Sequence, residues 1–353
     1  MAGYPLPLGT AMRLLVVTQE IDTESSTLGF FHEWLRALAP KLETIEAICL
    51  KAGKHSLPEN VHVHSLGKDS GSMPRLVYVV RFKWLAWKLR HEYDAVFVHM
   101  NQEYILIAGP MWKILGKRVY MWRNHYAGSW VTDLAATFCT KVFCTSKHSY
   151  TAKYKKTTLM PVGVDLSRYY EMNLIERMPR SILFLARIAP SKRPDMFIEA
   201  LGLLNQEGIP FTASIVGSAL PVDEGYYTSL VSRVKELGLS SYVTFSPGVP
   251  HEETSAIYAR HDIFINCSRS GMFDKTLFEA AASGCLVLAA SDDFRAATGE
   301  RFYFEDLETL VERLREMLML PERDRAVERL RASAKQESLA TLCEQLSREL
   351  YSN

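Results

Sequence analysis

The sequence places two cationic side chains where they could bind the negative charge of a phosphate. Arg187 lies at the end of the apolar segment SILFL, and Lys192 follows five residues later, before a helix predicted to begin at Pro194. Asp195 is the one nearby acid, so the pair suits a diphosphate: a guanidinium fork and an ammonium both stabilise charge on a departing phosphate. The alternative is ordinary surface charge on a strand–helix turn.

A second anion site is indicated by the stretch SGMFDKTLFEAAASGCLVLAAS at Ser270–Ser291. The pattern predicts a helix from about Lys275 to Ser283, which Gly284 ends before an apolar strand. Free backbone N–H groups around Asp274, Lys275 and Thr276, together with the helix dipole, would then attract an anion.

One carboxylate stands inside this predicted helix. Glu279 is one turn from the start, and its neighbours are Phe278, Ala280, Ala281 and Ala282. These neighbours are typical of a buried face, and a buried carboxylate needs a specific partner. The hydroxyls of a ribose beside the phosphates would be within its reach; the alternative is an exposed helix residue.

The elements that must position these residues alternate between short apolar strands and helix-length segments. Six strands are predicted in the first half (MRLLVVTQ, IEAICL, VHVHSL, DAVFVHM, RVYMW, KVFCTS) and five in the second (SILFLARI, FTASIVGS, YVTFSPG, IFINCS, CLVLAAS). Alternation of this kind predicts an α/β fold with parallel sheets, whose ligands bind beyond the carboxyl ends of the strands.

The length of 353 residues favours two domains. We expect two doubly wound, Rossmann-like domains that face each other across a cleft. The first, residues 1–170, would bind an acceptor, and the second, 171–335, a nucleotide. A helix over 336–353 would return to the first domain. The linker is expected in PVGVDLSRYYEMNLIERMPR, which carries Pro, Gly and mixed charge.

Composition narrows the class of protein. The chain is 48% hydrophobic and 23% charged with a net charge of +1, so it lacks the overall positive charge of a nucleic-acid-binding protein. Its six cysteines show no metal-ligand spacing and suit reduced thiols. Neither a secretory signal nor a membrane span is predicted. We expect a cytoplasmic protein, free or peripheral on the inner face of the membrane.

Several other patterns are given structural roles. Asp292 and Asp293 follow a strand, and helix capping is favoured over metal binding. His62 and His64 share a strand face without an evident third ligand. G-x-G-x-x-G after a strand and G-x-x-x-x-G-K-[ST] are both absent, which disfavours nicotinamide and P-loop sites. His99, at the end of a strand, either lines the cleft or is structural.

The segment PRLVYVVRFKWLAWKLRH, residues 74–91, combines cations and aromatic residues without an acid. Such a helix can lie on an anionic membrane with its aromatic side chains at the headgroup level. The alternative is a helix packed on the sheet, with solvated cations on its outer face.

The ordered set of motifs resembles the family-four retaining glycosyltransferases of the GT-B fold, in their bacterial form. The second half carries ARIAPSKRPDMFIEAL, SIVGSA, FSPGVPHEE and FINCSRSGMFDKTLFEAAASG. The first half is similar through TQEIDTESSTLGFFHEWL, VHMNQEYILIAGPMWKILGKR, WRNH and MPVGVD. The resemblance implies a hexosyltransferase that uses a nucleotide-sugar donor, with no metal or other cofactor and no nucleic-acid partner.

The resemblance also assigns roles in the second half. Arg187 and Lys192 would hold the donor diphosphate, and Glu279 the nucleotide ribose. The backbone at Asp274, Lys275 and Thr276 would meet the phosphates or the sugar. Gly217 would lie near the donor. Val249 and Pro250 would lie beside its nucleobase.

In the first half, Gly29 occupies a loop that faces the donor in the family, and His125 matches the active-site histidine that meets the transferred sugar. One position departs from the pattern. The family often carries two glutamates eight positions apart; Glu279 is the second, and the first falls on Gly271. A non-catalytic nucleotide-sugar-binding subunit is therefore the alternative function, and a GT-B phosphorylase a weaker one.

Overall fold

The computed structural model describes residues 12–25, 28–170, 175–271 and 274–352. Parts of the predicted linker (171–174) and of the loop before the helix at Lys275 (272–273) lie outside the described residues. The chain divides into two compact units. One comprises the described residues of Met1–Gly163 and Leu339–Asn353, and the other Val164–Ser338. The expected boundaries after residues 170 and 335 lie a few residues from these divisions.

The described residues of the first unit contain a parallel sheet of seven strands in the order β3-β2-β1-β4-β5-β6-β7. Its inner strands are nearly continuous apolar runs because helices cover both faces. The strands are β1 (Arg13–Ile21), β2 (Thr44–Ala52), β3 (Val61–Ser65), β4 (Ala95–His99), β5 (Arg118–Trp122), β6 (Lys141–Cys144) and β7 (Thr157–Leu159).

Among the described residues, four α-helices connect these strands, and the last described helix joins the same unit. They are α1 (Gly29–Leu38), α2 (Arg75–Lys88), α3 (Glu103–Ile114), α4 (Trp130–Thr137) and the final helix (Leu339–Tyr351). The final helix packs on α1, and the Tyr120 hydroxyl donates to the Leu350 carbonyl over 3.2 Å.

The described part of the second unit has a parallel sheet of five strands in the order β10-β9-β8-β11-β12. Its strands are β8 (Ser181–Leu185), β9 (Thr212–Val216), β10 (Val243–Ser246), β11 (Ile263–Asn266) and β12 (Leu286–Ala289). The helices are α5 (Ser167–Tyr170), α6 (Pro194–Gln206), α7 (Glu224–Glu236), α8 (Thr254–Arg260), α9 (Lys275–Ala282), α10 (Asp292–Thr298), α11 (Leu307–Leu318) and α12 (Arg323–Gln336). The final helix is α13.

Both sheets have the doubly wound strand order, which confirms the two Rossmann-like domains. In each sheet the order reverses beside the unit's first strand: β1 lies between β2 and β4, and β8 between β9 and β11. In open sheets of this kind, ligands bind at the carboxyl ends of the strands on either side of such a reversal.

Local structure departs from the sequence analysis at a few places. The short strand β7 was not predicted. The cap of α10 is Ser291, whose hydroxyl accepts from the Phe294 N–H over 3.3 Å. The prediction that Asp292 and Asp293 cap this helix was wrong. They occupy its first turn, where negatively charged carboxylates interact favourably with the helix dipole.

Candidate functional site

The strand reversal in the second sheet is bridged by a hydrogen bond. Lys192 lies in a short turn after β8, and its Nζ donates to the Ser268 hydroxyl over 3.1 Å. Ser268, which follows β11, is buried, and its own N–H donates to Asn266 Oδ1 over 2.8 Å. The ammonium is therefore held at the edge of the sheet where ligands of this fold class bind.

Arg187 lies on the same side of the unit, just beyond the end of β8, and its side chain is exposed. Within the part of the chain that the structure describes, no carboxylate forms an ion pair with it. Arg193, next to Lys192, adopts the left-handed conformation with φ of 55° and immediately precedes α6. Strained backbone of this kind is concentrated at functional sites.

The N-terminus of α9 adjoins Asn266. The Asn266 side-chain amide donates to the Thr276 hydroxyl over 3.2 Å, and that hydroxyl donates to Asp274 Oδ1 over 3.1 Å. The side chain of the N-cap residue, Asp274, makes no capping hydrogen bond to the first turn of this helix. The N-terminus of a helix is an environment that favours negative charge.

The other end of α9 is closed as predicted. Gly284 has φ of 84°, and its N–H donates to the Ala281 carbonyl over 3.1 Å. The Cys285 N–H donates to the Ala280 carbonyl over 3.0 Å, which completes a Schellman motif. The helix therefore ends where the sequence pattern placed it.

Glu279 is buried on α9, with 3% of its surface exposed. His251 Nε2 lies 3.2 Å from its Oε1, and the Tyr258 hydroxyl donates to its Oε2 over 3.3 Å. Burial works against the charged form, but the hydrogen bond from His251 and the charge of Lys275 outweigh it, and the pKa of Glu279 is lowered. The prediction that this carboxylate is buried is correct, and the partners that the structure shows are His251 and Tyr258.

Two loops approach closely beside this cluster. A side chain at Gly217 would place its Cβ 1.9 Å from the Ala186 carbonyl oxygen. The Gly248 N–H donates to the Ser218 hydroxyl over 2.9 Å. Val249 is half-buried, and the exposed Pro250 leads into the turn that carries His251.

Gly271 has φ of 89°, a conformation that side-chain-bearing residues rarely adopt. A glutamate at this position would be strained in the present loop. The glycine at this position is therefore suited to the backbone conformation of this loop.

In the first unit, His125 follows β5 and stacks on Tyr126 with 4.6 Å between the ring centroids. Its carbonyl accepts from the Tyr150 N–H over 2.9 Å. The Ala127 N–H donates to Nδ1 over 2.9 Å, so the neutral imidazole carries its proton on Nε2. Nε2 is therefore the ring atom that can donate to a ligand.

His99 lies at the strand reversal of the first sheet and is 2% exposed. Its ring stacks on Phe31 with 4.1 Å between centroids, and its Nδ1 is 3.3 Å from the Thr18 hydroxyl. This packing favours the structural alternative. Gly29 is the first residue of α1, and a Cβ there would be 3.3 Å from the Thr23 carbonyl oxygen.

Sequence reasoning missed four residues of the site: Asn266, Ser268, His251 and Tyr258. The first two follow from the rule that strand ends carry function, because both are at the end of β11. His251 stands directly after Val249 and Pro250. Nothing in the helical pattern of α8 distinguishes Tyr258 from a core residue.

The described residues hold no group of three His, Cys, Asp or Glu side chains arranged to bind a metal. His64 Nε2 is 2.5 Å from Glu46 Oε2 instead. Within the same residues, no helix has the length and apolar character needed to cross a bilayer.

Comparison with known proteins identifies relatives of the second unit. Residues 170–335 match the family model of the glycosyl transferases group 1. The chain is 33% identical to a D-inositol 3-phosphate glycosyltransferase of Nocardia farcinica over 154 residues, 40% of this chain and 34% of the relative. A mannosylfructose-phosphate synthase of Agrobacterium fabrum is 30% identical over 147 residues, 38% of this chain and 32% of the relative. The chain thus spans about a third of these relatives' length.

Solved structures share the fold over the whole chain. Anabaena Alr3699/HepE, in complex with UDP and glucose, superimposes with a TM-score of 0.76 at 19% identity, covering 97% of this chain and 100% of that one. Sucrose-phosphate synthase from Thermosynechococcus elongatus gives 0.74 at 17% identity, with coverages of 96% and 97%. At such identities the likeness establishes the fold. Residues 170–335 therefore match the glycosyl transferases group 1, within a chain that has the GT-B fold.

Proposed function

We propose that this chain is a retaining glycosyltransferase that moves a hexose from a nucleotide-sugar donor to a glycan or lipid-linked acceptor. The observation that carries the proposal is the position of Lys192, which is held by Ser268 across the strand reversal of the second sheet. The N-terminus of α9 and the buried Glu279 carboxylate belong to the same unit. Together they supply positive charge for phosphates and an acceptor for hydroxyl groups.

The proposed mechanism depends on stabilising the negative charge that develops on the leaving group during transfer. Cleavage of the donor places negative charge on the leaving diphosphate, which Lys192, Arg187 and the N–H groups at Asp274–Thr276 would stabilise without a metal ion. An oxygen of the departing phosphate could accept the proton of the acceptor hydroxyl, so that the new bond forms on the face that the diphosphate leaves. Turnover should therefore persist in a chelator such as EDTA.

The remaining assignments are proposals of the same kind. Glu279 would accept hydrogen bonds from the ribose, while Val249, Pro250 and Gly217 would border the nucleotide. His125 would donate its Nε2–H to the transferred sugar. Gly29 would allow close approach of the backbone to the donor.

UDP is the first nucleotide to test, because it is the one bound in the Anabaena neighbour. A thermal-shift panel of UDP, GDP and ADP with their common sugars should show stabilisation by one nucleotide, and Glu279→Ala should abolish it. No shift with any of them would contradict the donor site.

The alternative functions differ in turnover. A non-catalytic nucleotide-sugar-binding subunit, suggested by Gly271, would bind the donor without releasing nucleoside diphosphate. A GT-B phosphorylase would consume inorganic phosphate. Release of nucleoside diphosphate in the presence of donor and acceptor, without phosphate dependence, would exclude both.

We also propose that the segment 74–91, which contains α2, contacts an anionic membrane. Phe82 and Ala86 are buried, whereas Leu76, Val80, Trp84 and Trp87 form one exposed stripe. Lys88 lies 5.0 Å from the Trp84 ring centroid, and Arg90 lies 4.4 Å from that of Trp87. An apolar stripe beside cations matches a surface of anionic lipid.

Co-sedimentation with liposomes tests this surface. Vesicles with anionic lipid should bind the protein and neutral vesicles should bind it weakly. The pair Trp84→Ala and Trp87→Ala should remove binding, whereas Ile114→Ala, which alters an exposed apolar residue on α3, should not. Equal sedimentation of wild type with and without anionic vesicles would contradict the contact.

A further inference from the structure

The orientation of the Glu279 carboxylate is set by side chains from other segments. His251 comes from the turn before α8, and Tyr258 from α8 itself. Each contacts a different oxygen, His251 at 3.2 Å from Oε1 and Tyr258 at 3.3 Å from Oε2. The side-chain rotamer of Glu279 therefore depends on both.

The direction of these hydrogen bonds follows from the groups. A carboxylate only accepts, so Nε2 of His251 carries a proton even in the neutral imidazole. Tyr258 is fully buried, and its burial and the adjacent Glu279 charge keep its pKa well above the usual range, so that it remains a donor. Each carboxylate oxygen can accept two hydrogen bonds, so the contacts with His251 and Tyr258 do not use the whole acceptor capacity of Glu279.

The cluster has one accessible side. The Glu279 side chain is 4% exposed, whereas that of His251 is 28% exposed. Lys275 on the same helix and Tyr169 on α5 are the other polar groups that influence this carboxylate. His251 is therefore more exposed than Tyr258, the other hydrogen-bond partner of Glu279.

We propose that His251 is a positioning residue for ribose recognition: its Nε2–H holds Glu279 so that the carboxylate receives the 2′- and 3′-hydroxyls of the donor nucleotide. This inference rests on the proposed function, because it requires a nucleotide at Glu279. It assigns His251 no contact with the reacting atoms.

The test distinguishes a contribution of His251 to binding of the ribose hydroxyls from a contribution to binding of the rest of the nucleotide. Dissociation constants would be measured by calorimetry for UDP, or for GDP or ADP if the panel favours one of them, and for the 2′,3′-dideoxy analogue of the same nucleotide. The proteins are wild type, His251→Ala, His251→Gln, Tyr258→Phe, and Glu252→Ala as an exposed control in the same turn. Thermal unfolding of each variant would establish that it is folded.

We expect His251→Ala to raise the dissociation constant of the ribonucleotide about ten-fold, the effect of one hydrogen bond to a charged group. It should leave the dideoxy analogue unchanged, since that ligand makes no hydrogen bond to Glu279. His251→Gln should recover most of the affinity because its amide can donate in place of Nε2. Tyr258→Phe should show the same selectivity as His251→Ala, and Glu252→Ala no loss.

Two results would overturn the inference alone: unchanged ribonucleotide affinity in His251→Ala, or an equal loss for the ribonucleotide and its dideoxy analogue. The second would mean that His251 contacts the base or phosphates, or only supports the loop. Absence of nucleotide binding by the wild type would instead refute the proposed function, and the inference with it.

Discussion

Lys192 and Ser268 are 76 residues apart in the chain, yet the ammonium of one donates to the hydroxyl of the other over 3.1 Å. The bond joins the segments that leave β8 and β11, the two strands between which the order of the second sheet reverses. A flexible cation is thereby held in place before any ligand binds, which lowers the entropic cost of using it.

Lys192→Ala should reduce turnover far more than stability. Removing one preorganised charge from a site of phosphate departure costs about 10²–10³-fold in kcat. The rate of nucleoside diphosphate release would be measured with the donor identified by the nucleotide panel, alongside the melting temperature. Lys235→Ala, on the exposed side of α7, is the matched control and should be fully active. A substantially active Lys192→Ala would remove this lysine from the mechanism.

Gly217→Ala should destabilise the second unit. The new Cβ would lie 1.9 Å from the Ala186 carbonyl oxygen, so the backbone must move, at a cost of about 1–3 kcal/mol or more in the free energy of unfolding. Gly225→Ala is the matched comparison, because no atom lies within 4 Å of its added Cβ. In helix α7 that change should stabilise by up to about 1 kcal/mol. Urea unfolding would measure both; similar effects of the two substitutions would contradict the close approach.

Acidification should destabilise the second unit through His261. This residue is 5% exposed; its Nδ1 donates to the Ile257 carbonyl over 2.7 Å, and its Nε2 accepts from the Ser214 hydroxyl over 2.9 Å. Burial, and secondarily the charges of Arg177 and Arg260, lower its pKa although the bond to Ile257 raises it. The unfolded chain therefore binds more protons below the ordinary histidine pKa of about 6.5, and stability falls as the pH drops from there toward the folded pKa.

The measurement compares melting temperatures at pH 7.5 and at pH 5.5. His261→Asn, which keeps a donor for the Ile257 carbonyl, should lose less stability between these two conditions than wild type does. His55→Asn, at an exposed position, should behave as wild type. If His261→Asn and wild type lose the same amount, the buried imidazole does not cause the acid sensitivity.

Arg323→Ala should weaken the end of α9 without affecting nucleotide affinity. Its Nε donates to Asp262 Oδ1 over 2.7 Å, and a terminal nitrogen donates to the Gly284 carbonyl over 3.0 Å. Loss of both should lower the free energy of unfolding by about 1–2 kcal/mol. Arg325→Ala is the control, since that side chain is 85% exposed. A loss of nucleotide affinity in Arg323→Ala would show that the two ends of α9 are coupled.

The sequence by itself determined the strands and helices of this protein and pointed to the sheet edge at which we propose that its ligand binds. Strands that are buried in a parallel sheet have continuous apolar sequences. SILFL and IFINCS could therefore be predicted as strands without knowledge of the strands that they pair with. Gly284 ends α9 through contacts within a few residues, and the position of Lys192 after a strand indicated the ligand-binding edge. All of these features depend on short-range interactions.

Only the tertiary structure decided which side chains meet. Glu279 is 28 residues from His251, and Lys192 is 76 from Ser268. Both pairings follow from the order in which parallel strands assemble, and hydrophobic pattern does not encode that order residue by residue. The sequence therefore specifies what each segment is, and the packing of the sheet specifies what each side chain touches.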